Sequence, residues 1–385
     1  MKKTTLIFFS ALLCAVYAYG QPTPRHIVAF YNVENLFHPS EDSLVRDDDF
    51  TPTGLYHWSY KKYYHKIANV AKVFLAMGQG NPPSVIGLAE IENERVLEDL
   101  CYHSPLNAYQ YRYVHHDSPD RRGIDVALLY RDSCVKVLRE RKVPVVFPFE
   151  PNTQNRDLLY ALVRFLGGDS LHIVVNHWTS RFGGYAATIP KRNYYADVAR
   201  SIVDSILTLD PDANILLMGD FNDYATDQSL EQHLRARKYT PDNLSDTLFN
   251  LMYYFVDQNN VGSHKHEDFW GCLDQMVVSR GFLFDKGNIH ILDKVPHIFQ
   301  ALFLLVPDEK YGGTKTFRTF SGPRYIGGYA DHLPVYVVVE EDAPLDNKAI
   351  DDKSRDTAEQ DHQDGTGLES DGSNENSSKD ADADE

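Results

Sequence analysis

The sequence predicts an α/β fold of packed β-sheets flanked by helices, and three observations lead there. Short apolar, β-branched runs recur at Ile27–Tyr31, Val85–Ala89, Ile124–Tyr130, Leu159–Phe165, His172–Val175, Ile215–Met218, Met276–Ser279 and Val335–Val339. Several are apolar at consecutive positions, as in strands covered on both faces. Between them lie helical patterns, one carrying Ile67, Val70, Ala71, Phe74 and Met77 and another carrying Val198, Ile202, Ile206 and Leu207 after Pro190. Strands and helices intersperse without a strict βαβ rhythm, so sheets should pack on each other with helices outside. No repeat and no linker splits residues 21–340, which are expected to form one domain.

The two ends read differently. Lys2 and Lys3 precede an apolar stretch from Leu6 to Tyr17 and a small-residue exit at Ala18 and Gly20. That is the pattern of an export signal over residues 1–20, with cleavage expected before Gln21 and a destination in the periplasm or outside the cell. Ala11, Leu12 and Leu13 before Cys14 lack the small residue that lipid attachment usually wants, which argues against a lipid anchor. Cys101, Cys134 and Cys272 then remain, enough for at most one internal disulfide and without the C-x-x-C spacing of a thiolate zinc site. From Glu341 onward sixteen acidic residues face four basic ones, with hardly an apolar residue after Ile350, so residues 341–385 are expected to be a disordered acidic tail. Of the net charge of −17, the signal carries +2 and the tail −12, leaving −7 on residues 21–340. Nucleic-acid binders usually present a basic footprint, so here any attraction to phosphate has to come from a bound cation and local Arg or Lys.

Polar residues of one kind gather at the ends of the predicted strands. Tyr31-Asn32-Val33-Glu34-Asn35 follows the first run, Glu90 the second, Asn176-His177 the run at His172–Val175, and Gly219-Asp220-Phe221-Asn222-Asp223 the run at Ile215–Met218. Leu273-Asp274-Gln275 and Asp331-His332-Leu333-Pro334 stand instead at strand starts. If those two strands run opposite to the others, all six pieces meet at one edge, where loops present polar groups over a rigid scaffold. The set suits phosphodiester hydrolysis. Glu90 and Glu34 offer hard oxygen ligands to Mg²⁺ or Mn²⁺, with Ca²⁺ a further candidate. Asp220 is placed to activate a water, Asn32 and Asn222 to contact phosphoryl oxygens, His332 to act with Asp331 and Asp274 beside it, and His177 to protonate the departing oxygen.

In order, Y-N-V-E-N at Tyr31, A-E-I-E-N at Ala89, N-H at Asn176, G-D-F-N at Gly219, L-D-Q at Leu273 and A-D-H-L-P-V at Ala330 resemble the endonuclease/exonuclease/phosphatase superfamily over residues 26–340. R-G-I-D-V-A-L-L-Y-R from Arg122 and N-H-W-T-S-R from Asn176 look most like its secreted bacterial extracellular nuclease-type members. The resemblance implies a four-layer αββα sandwich of two mixed sheets. It implies Glu90 as principal metal ligand, aided by Glu34 and Asp331, though at the position of Glu34 some members carry a neutral residue. It implies phosphate contacts at Asn32 and Asn222, water handling at Asp220, and a His332 oriented by Asp274, with His177 as candidate acid. The activity it implies is that of a metal-dependent endonuclease, with a sphingomyelinase-type lipid phosphodiesterase as the alternative.

Other residues have blander readings. Glu92, Asn93 and Glu94 suit a solvated first helical turn, and Asp125 a buried partner of Arg122. Arg181, Lys315, Arg318 and Arg324 are candidate phosphate contacts or plain surface charge, with Arg181 foremost because it follows His177 by four residues. Tyr60 to Tyr64 suit packing over base stacking. The run Ile298–Val306 suits a buried strand over a membrane-dipping segment. Nucleic acid is the expected substrate, phospholipid the alternative, and a monomer without an obligate protein partner the expected state.

Overall fold

Along β1 (Arg25–Leu36) successive side chains point to opposite faces, and both faces are buried. Val28 and Phe30 enter one core and Ala29 and Tyr31 another, which is how consecutive apolar residues arise in a strand covered on both sides. In the computed structural model, residues 24–342 are described apart from 44, 241–246 and 285–286. The predicted signal and all of the predicted tail beyond residue 342 lie outside the described residues.

Ten strands and three helices carry the architecture. They are β1, β2 (Val85–Ile91), β3 (Tyr111–His115), β4 (Asp125–Arg131), β5 (Val135–Val143), β6 (Leu158–Phe165), β7 (Ser170–His177), β8 (Ile215–Asp220), β9 (Asp274–Ser279) and β10 (Val335–Glu341), with α1 (Tyr60–Met77), α2 (Glu94–Tyr102) and α3 (Tyr185–Leu209). The first sheet runs β10-β1-β2-β4-β3, with short strands Ile289–Ile291 and His297–Ile298 beside β10. The second runs β5-β6-β7-β8-β9 and continues through Leu248–Asn250 to Ala236–Arg237. Both are mixed: β1 and β2 are parallel, as are β7 and β8, while most other pairs are antiparallel. The inner faces share one core, including Phe30, Val175, Met218 and Val337. The stripe of α1 with α2 covers the outer face of the first sheet, and α3 that of the second. The predicted four-layer sandwich is therefore observed. Each large apolar side chain buried this way stabilises by about 1.5–3 kcal/mol.

Three local expectations are corrected. α3 begins at Tyr185, five residues before Pro190, which therefore lies inside the helix, past the first turn where a missing N–H costs no helical hydrogen bond. Glu92 is buried, not solvated: its carboxylate accepts the backbone N–H of His38, and Asn93 caps α2 by accepting from Val96 N. Asp125 faces His115, 3.3 Å away, in place of Arg122. The run Ile298–Val306 divides between two short strands and a turn, and Phe299, Phe303 and Leu305 pack on the first sheet's outer core. Leu302, 90% exposed, is its one projecting apolar side chain. No helix among the described residues is long and apolar enough to cross a membrane, and Cys101, Cys134 and Cys272 are free thiols.

The strands end later than their apolar runs, so the polar residues belong to the sheets. Asn32 is paired with Ala89, His177 with Asp220, and Asp220 with Asp274. β9 and β10 are antiparallel to β8 and β1, which brings the two strand-start motifs to the same edge as the strand-end ones. Gly219 makes this possible where β8 runs beside β7: a Cβ there would lie 2.2 Å from the Asn176 carbonyl oxygen. Gly219→Ala should therefore force the two strand ends apart and lower stability by about 1–3 kcal/mol, read by urea denaturation.

Candidate active site

Backbone geometry aims the acidic side chains before any tertiary contact does. Glu90 is the extra residue of a β-bulge, since Ala89 pairs with Val126 and Ile91 with the adjacent Asp125, and it sits at φ 65°. Such a conformation is costly for a non-glycine residue and typical of side chains re-aimed at functional sites. Glu34, Asn35 and Asn222 share it, at φ 54°, 50° and 51°. The turn at Asn35 directs its backbone N–H to Glu90 Oε2, 2.7 Å away.

The two sheets meet through one amide. Asn32 Nδ2 lies 3.4 Å from Glu90 Oε1 on the first sheet and 3.2 Å from Asp220 Oδ2 on the second. Its oxygen accepts the backbone N–H of Glu34. Asn32 thus bridges the carboxylates, a use the sequence reading, which made it a phosphate contact, did not foresee. His177 Nε2 stands 3.9 Å from Glu90 and 3.7 Å from Asp220. His332 Nδ1 is bonded to Asp274 Oδ2 at 2.8 Å, with Nε2 3.7 Å from Asp220. Asp220 Oδ1 accepts the backbone N–H of Asn222, whose side chain donates to the Trp178 carbonyl. Glu90, His177, Asp220, Asn222, Asp331 and His332 line one hollow of about 1020 Å³, with Asn32 and Asp274 bonded to Asp220 and His332 behind its wall, while Glu34 lines a neighbouring hollow.

The charge states differ sharply between the two imidazoles. Burial, helped by Arg156 and Arg122, holds His177 well below the usual histidine range, so it is neutral at pH 7. His332 is raised well above that range by Asp274 and Asp220 against the pull of burial, so it is protonated. The protonated imidazole of the site is thus His332, and not the His177 expected to serve as acid. Burial, reinforced by Asp274 and opposed by His332, pushes Asp220 up to about 7. Burial and then Asp331 push Glu34 up to about 7.

Glu34 and Asp331, expected as auxiliary metal ligands, are joined by Arg318. The guanidinium lies 2.7 Å from Glu34 Oε1 through Nε and 3.1 Å from Asp331 through its terminal nitrogen. Lys66 is buried nearby and donates to Thr319 Oγ1 and the Tyr329 carbonyl, with burial pushing it down to about 8. Arg181 lines the hollow, but its guanidinium is already engaged there. It is bonded to the Asn222 carbonyl, Asp223 and Asp227, and lies between the rings of Tyr185 and Tyr224. It positions the Asn222 loop instead.

Several residues escaped the sequence. Arg156, largely buried at the wall of the hollow, donates to the carbonyls of His177 and Trp178 and pairs with Asp120, which fixes the end of β7. His264 lies against His332, ring centroids 4.8 Å apart, and burial lowers it to about 4. Arg122 lines the hollow, and no ion pair of its side chain occurs among the described residues. Lys66 left a readable signal, a cation on the apolar stripe of α1 between Tyr63 and Ile67. Arg156 and His264 left none, since their partners lie far away in sequence.

The donor set fits a divalent cation. Glu90 keeps 15% of its side chain exposed to the hollow, and Asp220 stands beside it across the Asn32 amide, so carboxylate oxygens of the kind that hold a hard cation gather there. Glu90 is placed to hold such an ion. Among the described residues, His264, Asp331 and His332 also bring one donor atom each within 4.8 Å of the others.

A comparison with curated proteins gives no match. Among solved structures, humanized D. rerio TDP2 bearing 14 mutations is similar with a TM-score of 0.50 and 16% identity, covering 82% of this chain and 99% of that one. A Bacteroides thetaiotaomicron mannosyl-6-phosphatase has a TM-score of 0.51 and 17% identity over 82% of this chain and 99% of its own. A Bacteroides thetaiotaomicron endonuclease/exonuclease/phosphatase family protein has 0.50 and 15% over 84% and 100%. These likenesses establish the fold. The family model described as the Endonuclease/Exonuclease/phosphatase family matches residues 27–341, so the chain belongs to that family of hydrolases, which act on phosphoester bonds and generally use divalent metal ions.

Proposed function

We propose that the protein is an exported, Mg²⁺- or Mn²⁺-dependent phosphodiesterase that cleaves nucleic acid internally. The observation that carries the reading is the convergence of Glu90, Asp220, Asp274 and His332 from two sheets on one open hollow. A second hollow of about 500 Å³ adjoins it across Asp331, lined by Phe50, Tyr56 and Phe320 with Lys310, Lys315 and Arg318. Space on both sides of the reacting centre, with aromatic faces and cations on one side and exposed Phe182 on the other, suits a chain that enters and leaves. Arg122 and Lys315 are local cations that offset the acidic body. The packing of Phe299, Phe303 and Leu305 removes most of the surface a lipid enzyme would insert.

A cation held at Glu90 would polarise a phosphoryl oxygen. Asp220, with its affinity for protons near neutrality, takes the proton of the attacking water. His332, kept cationic and oriented by Asp274, donates to the phosphoryl group as negative charge grows there. Neutral His177 stands beside the Glu90 and Asp220 carboxylates, 3.9 and 3.7 Å away, without adding a charge between them. Asn222 offers its remaining amide hydrogen to the phosphate. Residues 1–20 direct export to the periplasm or beyond, and the enzyme works as a monomer.

Purified protein incubated with closed circular plasmid, RNA and sphingomyelin should cleave nucleic acid with Mg²⁺ or Mn²⁺, and lose that activity in chelator. Hydrolysis of sphingomyelin alone would replace this reading with the lipid one. His332→Ala should lower kcat by about 10²–10⁴-fold in protein that circular dichroism shows to be folded; full residual activity would remove His332 from the mechanism. Mass spectrometry of the exported protein should find Gln21 at its N-terminus.

A further inference from the structure

Outside the catalytic hollow, the connection between β3 and β4 gathers metal-binding side chains at its base. His115 ends β3, Asp125 begins β4, and Asp117 lies two residues beyond the histidine. One donor atom from each lies within 4.8 Å of the other two. The His115 side chain is only 4% exposed, with Nε2 3.3 Å from Asp125 Oδ2 and Nδ1 3.9 Å from Asp117 Oδ1. Yet Nε2 is buried without a hydrogen-bond partner. Asp125 is held in place through its other oxygen, which accepts the backbone N–H of Ser118 at 3.0 Å. Lys142 donates to the Asp117 carbonyl, which anchors the backbone beside the cluster.

We propose that His115, Asp117 and Asp125 form a second divalent-cation site, distinct from the catalytic one, that takes a borderline ion such as Zn²⁺ or Mn²⁺. Two ligands each about 2.1 Å from a tetrahedral ion lie about 3.4 Å apart, close to the spacing of His115 and Asp125. An aligned hydrogen bond would be shorter, about 2.7–3.2 Å, and would satisfy the nitrogen. A buried imidazole nitrogen without a partner is an uncommon state that a cation between Nε2 and Asp125 would relieve, with the exposed Asp117 carboxylate turning in from the Nδ1 side to join it. One imidazole and two carboxylates favour zinc or manganese over calcium, which takes oxygen ligands throughout. The exposed side of Asp117 leaves room for water to complete the shell.

The site has a place in the fold. The connection it would close carries Asp120, which pairs with Arg156, and Arg122, which lines the catalytic hollow. An ion joining its two ends would hold that arm against the sheet, because binding to the folded form alone stabilises it.

Isothermal titration of the full chain with Zn²⁺ tests this. In a Glu90→Gln/His264→Gln background, which takes one donor from each metal-capable group of the catalytic hollow, one Zn²⁺ equivalent should remain. Adding Asp117→Asn should weaken that equivalent at least about tenfold, as should His115→Gln. Asp117 is 86% exposed, so its substitution leaves the fold intact even if that of His115 does not. Trypsin cleavage after Arg121 and Arg122 should be slowed by Zn²⁺ in the Glu90→Gln/His264→Gln protein and not once Asp117→Asn is added to it. Equal Zn²⁺ affinity and stoichiometry with and without Asp117→Asn would overturn the proposal.

Discussion

Everything in the active site depends on the Asn32 amide, which reaches Glu90 on one sheet and Asp220 on the other. That contact requires the edges of two separately hydrogen-bonded sheets to be held within a few ångströms of each other. Several features arrange this. Gly219 lets β8 approach β7, the bulge at Glu90 turns a carboxylate off the plane of its sheet, and Arg156 pins the carbonyls at the end of β7. Glu90 and Arg156 also line the hollow, whereas Gly219 acts from the strand pairing behind it. They are the means by which a rigid inner core sets distances at its rim.

The rim is electrostatically unusual. Glu34, Glu90, Asp220, Asp274 and Asp331 gather where water is largely excluded, and such a group is tolerable only with positive charge among it. Arg318 supplies it to Glu34 and Asp331, and protonated His332 supplies it to Asp274 and Asp220. Glu90 has no such cation of its own and faces the open hollow, so its needs and those of a metal ion coincide. The neutral His177 follows from the same economy of charge. Arg156 lies behind it, so a second cation there would be repelled.

Much of this site was legible from local pattern. Asn32, Glu90, Asp220 and His177 sit at strand ends, and an apolar run followed by a polar residue records that position directly. Asp274 and His332 at strand starts required one further condition, antiparallel pairing, which the sheets meet. Cations were harder to place. Arg181 stood near His177 in sequence and was expected at the phosphate, yet it is spent on Asp223 and Asp227. Arg122 was assigned to Asp125 and instead lines the hollow, while Asp125 faces His115. Long flexible side chains choose partners from whatever lies within reach after folding, and sequence spacing carries little of that information.

The sequence by itself determined that sheets pack with helices outside, the buried strands and the edge at which the chemistry gathers, because burial on two faces and the change from apolar to polar at a strand end are local properties of the chain; the partly exposed edge strands β3 and β5 carry no such run and were not read from it. Only the tertiary structure decided which carboxylate is left facing the hollow, which histidine carries the proton, and that Arg318 stands between Glu34 and Asp331. Those outcomes depend on Coulomb interactions and desolvation between residues as many as 284 positions apart, which no window along the chain contains.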